Sequence, residues 1–454
     1  MPFVEALVAA ATVQSTDVEL VGRWEGALSV GGTSLALTIR VEATSDGVRA
    51  VMDVPAQNAR GLPITDLSLS GGVVRFSVPA ARGGFEGARS PDGGMWTGVW
   101  SQGGASFPLV LTRSAANAEP AGPARPQTPV PPFPYLAEAV AFSNGEAGIT
   151  LAGTLTRPTG AGPFPAVVLL TGSGAQDRDE TIFAHRPFAV WADALTQRGI
   201  AVLRYDDRGV GGSGGGGPNE TTADFATDAA AAVAFLAARP DIDAARIGLM
   251  GHSEGGEIAP LAVQDGANAA FIVMIAGPAV SGADILTEQA ARLAQASGAS
   301  PDQVAQTRMA QGEVMAAVVT NKDDPTAAAT AVQTVLTTAG QTTAQAQAAS
   351  RQVASPWFRW FAAYDPAPAL AALTVPVLAI YGDKDLQVPA DQNAAAVRRA
   401  QPGAEVVVLP GLNHLMQTAA TGLPGEYGTI EETVSPAAIQ VVTDWIARVA
   451  GVRP

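Results

Sequence analysis

The alternation of apolar and polar residues predicts different structures for the two parts of this chain. Between residues 19 and 113, short runs such as Ser34–Val41 alternate apolar with polar positions, as strands with one buried face do. Paired glycines separate the runs at intervals that suit hairpins. This pattern predicts an all-β barrel or sandwich, with Trp24, Trp96 and Trp100 in its core or at its mouth. The alternative is a barrel with a ligand in its lumen, although small barrels are usually filled by side chains.

From about residue 137, strand-length apolar runs alternate with helix-length segments. This pattern predicts a mostly parallel sheet with helices on both faces. The helix candidates include 187–198 and 223–238. The strand candidates are 149–156, 165–171, 200–205, 246–250, 271–276, 375–381 and 404–409.

One segment interrupts this alternation. Residues 281–362 are rich in Ala, Gln and Thr and show no strand pattern, so we interpret them as a helical lid or cap insertion. The α/β domain is therefore expected to comprise residues 137–280 and 363–454.

Residues 114–136 are rich in Pro and Ala and are expected to form the linker between the two domains. Residues 1–18 allow two interpretations, a disordered start or the remainder of a signal peptide, because an apolar run is present without a preceding basic region. The second interpretation implies a periplasmic or secreted protein, and the first a cytoplasmic one. Elsewhere no stretch reaches the ~18 apolar residues needed for a membrane span.

Composition excludes several classes of function. The formal net charge of −15 opposes binding to nucleic acid and to anionic membranes. The absence of cysteine excludes disulfides, thiolate metal sites and cysteine nucleophiles. With only three histidines, a histidine-rich metal site is not expected, and we predict neither metal nor cofactor. The oligomeric state stays open, with a homodimer among the possibilities.

The pentapeptide Gly251–Gly255, with sequence Gly-His-Ser-Glu-Gly, follows an apolar strand candidate and precedes a helical segment. Gly-x-Ser-x-Gly between a strand and a helix is the pattern of a nucleophile elbow, in which the serine lies exposed on a tight turn. Ser253 is therefore the candidate nucleophile. The amide of Glu254 is expected to point at a developing oxyanion. His252 is expected to pack beside the elbow and to contact the substrate.

A serine nucleophile needs a base that is held by a third group. His252 is too close in the chain to turn back onto Ser253, and His185 lies far upstream, whereas His414 follows the last strand candidate directly. The acid is expected after the strand 375–381. There Asp385 lies further into the loop than Asp383, which more naturally caps the turn or pairs with Lys384. Ser253, Asp385 and His414 then occur in the order typical of α/β hydrolases.

The second oxyanion donor is expected after the strand 165–171. We assign it to the amide of Ser173, with Gly174 as the alternative and as a substrate contact. The polar run that follows is predicted to brace this loop. Trp357 and Trp360, at the end of the helical insertion, either pack the insertion onto the sheet or line an acyl pocket.

These motifs together resemble bacterial α/β-hydrolase esterases of the EstD type, which are related to serine aminopeptidase-like hydrolases. The resemblance rests on Gly-Ser-Gly-x-Gln-Asp-Arg-Asp-Glu, Asp206–Ser213, Gly-His-Ser-Glu-Gly-Gly, the Gly-Asp-Lys-Asp loop and Leu-Asn-His. It covers residues 137–449 and is less specific for the N-terminal module. It implies hydrolysis of carboxylic esters through an acyl-enzyme, with no metal or cofactor.

We therefore predict a serine carboxylesterase that acts on a small-molecule ester, with a preference for short acyl chains. The enzymatic alternative is a serine peptidase or amidase with the same machinery, because the leaving group is selected by pocket shape. A non-catalytic binding protein on a hydrolase scaffold is the third reading. It predicts the loss of at least one triad position, and all three are present.

Overall fold

A computed structural model describes residues 19–30, 33–44, 47–54, 59–81, 83–102, 105–114 and 124–452. The chain divides into two compact units, Met1–Gly122 and Pro123–Pro454. The predictions for residues 1–18, and for the linker between 115 and 123, lie outside the described residues.

The first unit is a closed barrel of antiparallel strands, which confirms the all-β prediction and selects a barrel over a sandwich. Pairing of Arg23–Gly26 in the first strand with Leu111–Ser114 in the last closes the sheet. The strands are β1 Gly22–Val30, β2 Thr33–Thr44, β3 Gly47–Val54, β4 Ala59–Ser70, β5 Val73–Val78, β6 Gly83–Arg89, β7 Met95–Gln102 and β8 Ala105–Ser114, with a 3₁₀ turn at Pro79–Ala81.

Aromatic side chains fill part of the barrel interior. Trp24 and Trp96 are fully buried and stack with ring centroids 3.8 Å apart, and Trp100 is buried as well. A cavity of about 250 Å³ remains beside apolar side chains that include Leu37 and Met52. The tryptophans therefore form the barrel core as predicted, and the alternative of a ligand in the lumen stays untested.

The second unit contains one mixed sheet with strand order β16-β15-β14-β13-β11-β12-β10-β9. Its strands from β11 to β16 pair in parallel, while β9 and β10 form an antiparallel edge. The strands are β9 Leu136–Asn144, β10 Ile149–Arg157, β11 Phe164–Leu170, β12 Ala201–Tyr205, β13 Ile242–His252, β14 Phe271–Ile275, β15 Val377–Gly382 and β16 Glu405–Leu409.

Helices cover both faces of this sheet, because the side chains of its buried strands enter two separate apolar clusters. The helical insertion follows β14 as predicted, and comprises α4 to α8. The helices are α1 Pro187–Gln197, α2 Thr222–Ala237, α3 Gly255–Gln264, α4 Gly282–Ala296, α5 Pro301–Thr320, α6 Pro325–Thr338, α7 Thr343–Val353, α8 Pro356–Ala363, α9 Ala367–Ala372, α10 Ala390–Ala400 and α11 Pro436–Val449, with a 3₁₀ turn at Pro424–Thr429.

The parallel strands determine where chemistry can occur. The carboxyl ends of β11, β13, β15 and β16 lie at the same edge of the sheet, where ligands bind in open α/β folds. Each of the predicted catalytic residues follows one of these ends. Within the described ranges, no helix combines the length and the apolar character that crossing a bilayer requires.

Candidate active site

Ser253 occupies the strained turn between β13 and α3. Its φ of 52° lies in the left-handed region, which non-glycine residues adopt only when the surrounding structure imposes it. A Cβ atom on Gly251 would clash with the main chain of Gly255, and one on Gly255 would clash with the carbonyl of Leu170. The two glycines therefore let strand and helix approach closely, and the predicted elbow geometry is present.

Asp385 and His414 meet across the ends of β15 and β16. His414 Nδ1 lies 2.9 Å from Asp385 Oδ2. The other carboxylate oxygen of Asp385 accepts the backbone N–H groups of Gln387 and Val388 at 2.8 and 2.9 Å. These two amides fix the orientation of the carboxylate toward His414. Asp383 instead accepts the backbone N–H of Gly411 in the loop after β16. Lys384 donates to the carbonyls of Ala419 and Ala420, so in the described range 124–452 the predicted pairing of Asp383 with Lys384 is not present.

Ser253 and His414 line one cavity of about 280 Å³. The bond of Nδ1 to Asp385 leaves His414 Nε2 available to a nucleophile, although no hydrogen bond joins the two side chains among residues 124–452. Hydrogen bonds between catalytic groups are often long in unliganded enzymes and shorten when substrate binds. The arrangement therefore suits general-base activation of Ser253.

The loop after β11 forms another wall of the cavity through Gly172 and Ser173. Within the described part of the chain, the amides of Ser173 and Glu254 donate to no protein acceptor, which leaves both available to a substrate oxygen. Both were predicted as oxyanion donors. Their unpaired state in a water-accessible cavity agrees with that role.

A network of charged side chains braces this loop, as the sequence predicted. Arg178 pairs with Asp206 at 2.6 Å, and Arg204 pairs with Asp179. Asp207 accepts the hydroxyl of Thr171 at 2.8 Å as well as the amide of Gln176 at 2.9 Å. Burial raises the pKa of Asp207 to about 8, although these two hydrogen bonds oppose the shift.

The helical insertion contributes side chains to the cavity from α4 and α8. Trp357 in α8 lines it and donates its indole N–H to Glu254 Oε1 at 2.9 Å. Thr222 donates to the same oxygen at 2.7 Å. Burial raises the pKa of Glu254 despite these donors. Trp357 therefore joins the insertion to the elbow, so packing and pocket lining both hold for this residue.

Three other candidates lie away from the cavity. Trp360 stacks on Tyr364 with centroids 4.4 Å apart and lines a separate surface depression. Its predicted substrate contact is therefore not supported by its position. Gly174 is likewise absent from the cavity lining, whereas its neighbour Ser173 is present. His185 is buried against Thr433 and Tyr427, far from a role as base.

Sequence reasoning missed one acidic residue behind the elbow. Glu257, in the first turn of α3, is buried, and neither of its carboxylate oxygens has a hydrogen-bond partner among the described residues. Burial, together with the charge of Glu254, raises its pKa well above the usual value. Both influences favour the neutral, protonated side chain. Its sequence position next to the elbow carries no signal of this state.

No metal site accompanies these residues. Across the described ranges, no group of three or more His, Asp and Glu side chains is arranged to hold a metal ion.

The strand order, the elbow and the residues at the carboxyl edge define an α/β hydrolase with an added N-terminal barrel. The model of the serine aminopeptidase S33 family matches residues 185–418, just over half of the chain. The protein belongs to this family.

The chain is also similar to individual proteins and solved structures. Esterase EstD of Thermotoga maritima is 28% identical over 304 residues, which are 66% of this chain and 66% of the esterase. An uncharacterized protein of Mycobacterium tuberculosis is 39% identical over 118 residues, 26% of this chain and 38% of that protein. A solved esterase of Pyrococcus furiosus has 17% identity and a TM-score of 0.40, covering 70% of this chain and 90% of its own. The chain thus spans about two thirds of the esterase EstD length and less of the mycobacterial protein.

Proposed function

We propose that this protein is a serine carboxylesterase that hydrolyses short-chain acyl esters through an acyl-enzyme. The observation that carries the proposal is the convergence of Ser253, His414 and the His414–Asp385 hydrogen bond on one cavity. The similarity to esterase EstD supports an ester as the substrate.

In the proposed first step, Ser253 Oγ attacks the acyl carbonyl carbon while His414 Nε2 takes the hydroxyl proton. Asp385 stabilises the imidazolium that forms. The amides of Glu254 and Ser173 hold the negative oxygen of the tetrahedral intermediate. The C–O bond to the alcohol then breaks, and the alcohol leaves with the proton from His414.

Deacylation repeats these roles with water. His414 takes a proton from the attacking water molecule, the second tetrahedral intermediate forms on the same two amides, and its collapse returns the proton to Ser253 Oγ. The products are the carboxylic acid and the free enzyme.

The preference for short acyl chains follows from the size of the cavity. Its volume of about 280 Å³ is at the lower end of ligand sites, which span roughly 300–1,000 Å³. Ile285 and Leu286 of α4, together with Phe361 of α8, are among the apolar side chains that line it. These side chains limit the apolar space beside Ser253, which supports the preference for short chains.

The test is a series of p-nitrophenyl esters from acetate through butyrate and octanoate to laurate. We expect kcat/KM to be highest for acetate or butyrate and to fall for the longer chains. Equal or better turnover of laurate would contradict the short-chain preference. The Ser253→Ala variant is the control, and its activity should fall to the level of buffer.

A peptidase or amidase is the second candidate, favoured by the family model, which describes serine aminopeptidases. The same nucleophile, base and oxyanion donors would serve an amide substrate, with His414 donating its proton to the leaving amine. Aminoacyl p-nitroanilides measured beside the p-nitrophenyl esters separate the two. We expect the esters to have the higher kcat/KM, and a higher value for the anilides would select the peptidase.

A further inference from the structure

His252, the neighbour of the nucleophile, is held between two hydrogen-bond acceptors. Its Nδ1 lies 2.9 Å from Glu180 Oε1, and its Nε2 lies 3.0 Å from the main-chain oxygen of His414. The bond to the carbonyl oxygen needs a proton on Nε2, and the bond to Glu180 has its proton on Nδ1 or on the carboxyl oxygen. Both side chains are buried, at 7% exposure for His252 and 5% for Glu180. The geometry therefore defines a buried, hydrogen-bonded pair of His252 and Glu180.

The electrostatics of the site favour the protonated form of His252. Burial lowers the pKa of His252, but the charge and hydrogen bond of Glu180, together with the carbonyl of His414, outweigh it, so that the pKa is raised. Asp385, which holds the ring of His414, adds a further negative charge nearby.

Glu180 extends the pair to the oxyanion loop. The oxygen that faces His252 also accepts the backbone N–H of Gly172 at 2.7 Å. Space there is tight, because a Cβ on Gly172 would lie 3.1 Å from this oxygen and 3.2 Å from Ser253 Cβ. A single chain of hydrogen bonds thus runs from Gly172 through Glu180 and His252 to the carbonyl of His414.

We propose that Glu180 and His252 act as one positioning unit that sets the main chain of His414 and the oxyanion loop relative to Ser253. The inference rests on the proposed function, since it takes Ser253 and His414 as the reacting pair. Asp385 holds the ring of His414 through Nδ1, and the His252 N–H holds the main chain of the same residue. Two carboxylates, one acting directly and one through His252, therefore position one base.

This role differs from the substrate contact expected from the sequence. His252 lines the cavity, but both of its ring nitrogens are already occupied by protein acceptors. Neither nitrogen is left for a substrate. Neither Glu180 nor His252 is a catalytic residue in this account, because they act through Gly172 and His414.

The test compares wild type with Glu180→Gln, His252→Gln and the double variant. Glutamine at position 180 keeps an oxygen for the Gly172 amide and removes only the charge, so that a neutral His252 can make one of its two bonds. Steady-state kinetics on p-nitrophenyl acetate are measured per active site, with sites counted by a fluorophosphonate. We expect each single variant to lower kcat about 10- to 100-fold, because small misplacements of reacting groups have effects of this size. KM should change less than about threefold, since both ring nitrogens of His252 are bonded within the protein and neither is left for a substrate.

The double variant tests whether the two residues act as a unit. Its kcat should lie within about threefold of that of the less active single variant, because the second substitution removes a link that the first has already broken. His185→Gln is the matched control, since His185 is also buried and bonded on both ring nitrogens but lies away from the cavity. It should lower the melting temperature while kcat per titrated site stays within about threefold of wild type.

If the kcat loss of the double variant equals the product of the two single losses, the two residues act independently and the proposal of one positioning unit is refuted. A His252→Gln enzyme with normal kcat and a raised KM would also overturn the proposal and restore a substrate contact. Both results require an active wild type that fluorophosphonate labels at Ser253. Wild type without labelling, or an active Ser253→Ala variant, would instead contradict the proposed function itself.

Discussion

Replacing Asp385 by asparagine tests how the loop after β15 controls the base. The backbone amides of Gln387 and Val388 donate to one carboxylate oxygen, so the side-chain oxygen of an asparagine must occupy that position. Its NH₂ group then takes the place of Oδ2 and points a donor at His414 Nδ1. His414 can answer only by placing its own proton on Nε2, which is the wrong tautomer for accepting the Ser253 proton.

The expected magnitude follows from the loss of the base. A triad histidine held in the wrong tautomer lowers kcat by about 10⁴-fold, which corresponds to about 5.4 kcal/mol of activation free energy. Folding should be little affected, because both backbone amides keep their acceptor. KM should stay within about threefold, since Asp385 does not line the cavity.

The assay is kcat on p-nitrophenyl acetate, with a thermal melt of each variant. Asp383→Asn is the matched control in the same loop, because Asp383 bonds to the Gly411 amide and an asparagine can still accept that bond. Its kcat should stay within about threefold of wild type. A tenth or more of wild-type kcat in Asp385→Asn, or an equal loss in Asp383→Asn, would refute the assignment of the acid.

Three further predictions concern stability. Glu257→Gln should raise the free energy of unfolding at pH 8 but not near pH 4. Burial raises the pKa of Glu257, so the folded state keeps a proton that the unfolded chain releases above about pH 4.5. The loss of stability that wild type suffers from keeping this proton grows by about 1.4 kcal/mol per pH unit up to the pKa of the folded state. Equal gains in stability at both pH values, measured by urea unfolding, would contradict the buried, protonated Glu257. Gly251→Ala should destabilise the fold by about 1–3 kcal/mol or more, because the added methyl clashes with backbone; an unchanged melting temperature would argue against the tight elbow. Trp357→Phe should lower the free energy of unfolding by about 1–3 kcal/mol, because it removes a donor to buried Glu254. Trp360→Phe should lower it clearly less, and equal losses in the two variants would contradict the role of the Trp357 hydrogen bond.

The sequence was informative wherever a local pattern is tied to one structure. The elbow at Ser253 combines a strand, two glycines and a helix within a short segment, and the loops of Asp385 and His414 each follow an apolar strand directly. These relations need no knowledge of distant contacts. The order of strands then brings the three loops to one edge of the sheet.

Contacts between distant segments could not be predicted in this way. Glu180 and His252 are 72 residues apart, and no periodicity links them. Trp357 and Trp360 looked equivalent in sequence, yet the helix directs one toward the elbow and the other toward Tyr364. The edge strand β9 begins at Leu136, at the end of the predicted linker, because pairing with β10 determines its start. In each case a contact with a residue distant in sequence determines the position of the side chain or the start of the strand.

The identity of the nucleophile is the central claim, and peptide mapping after labelling with a fluorophosphonate tests it most directly. The account predicts a single covalent adduct on the peptide that contains Ser253, together with complete loss of esterase activity. The Ser253→Ala variant should take up no label and hydrolyse no ester. An adduct on another residue, or ester hydrolysis that persists in Ser253→Ala, would contradict the account.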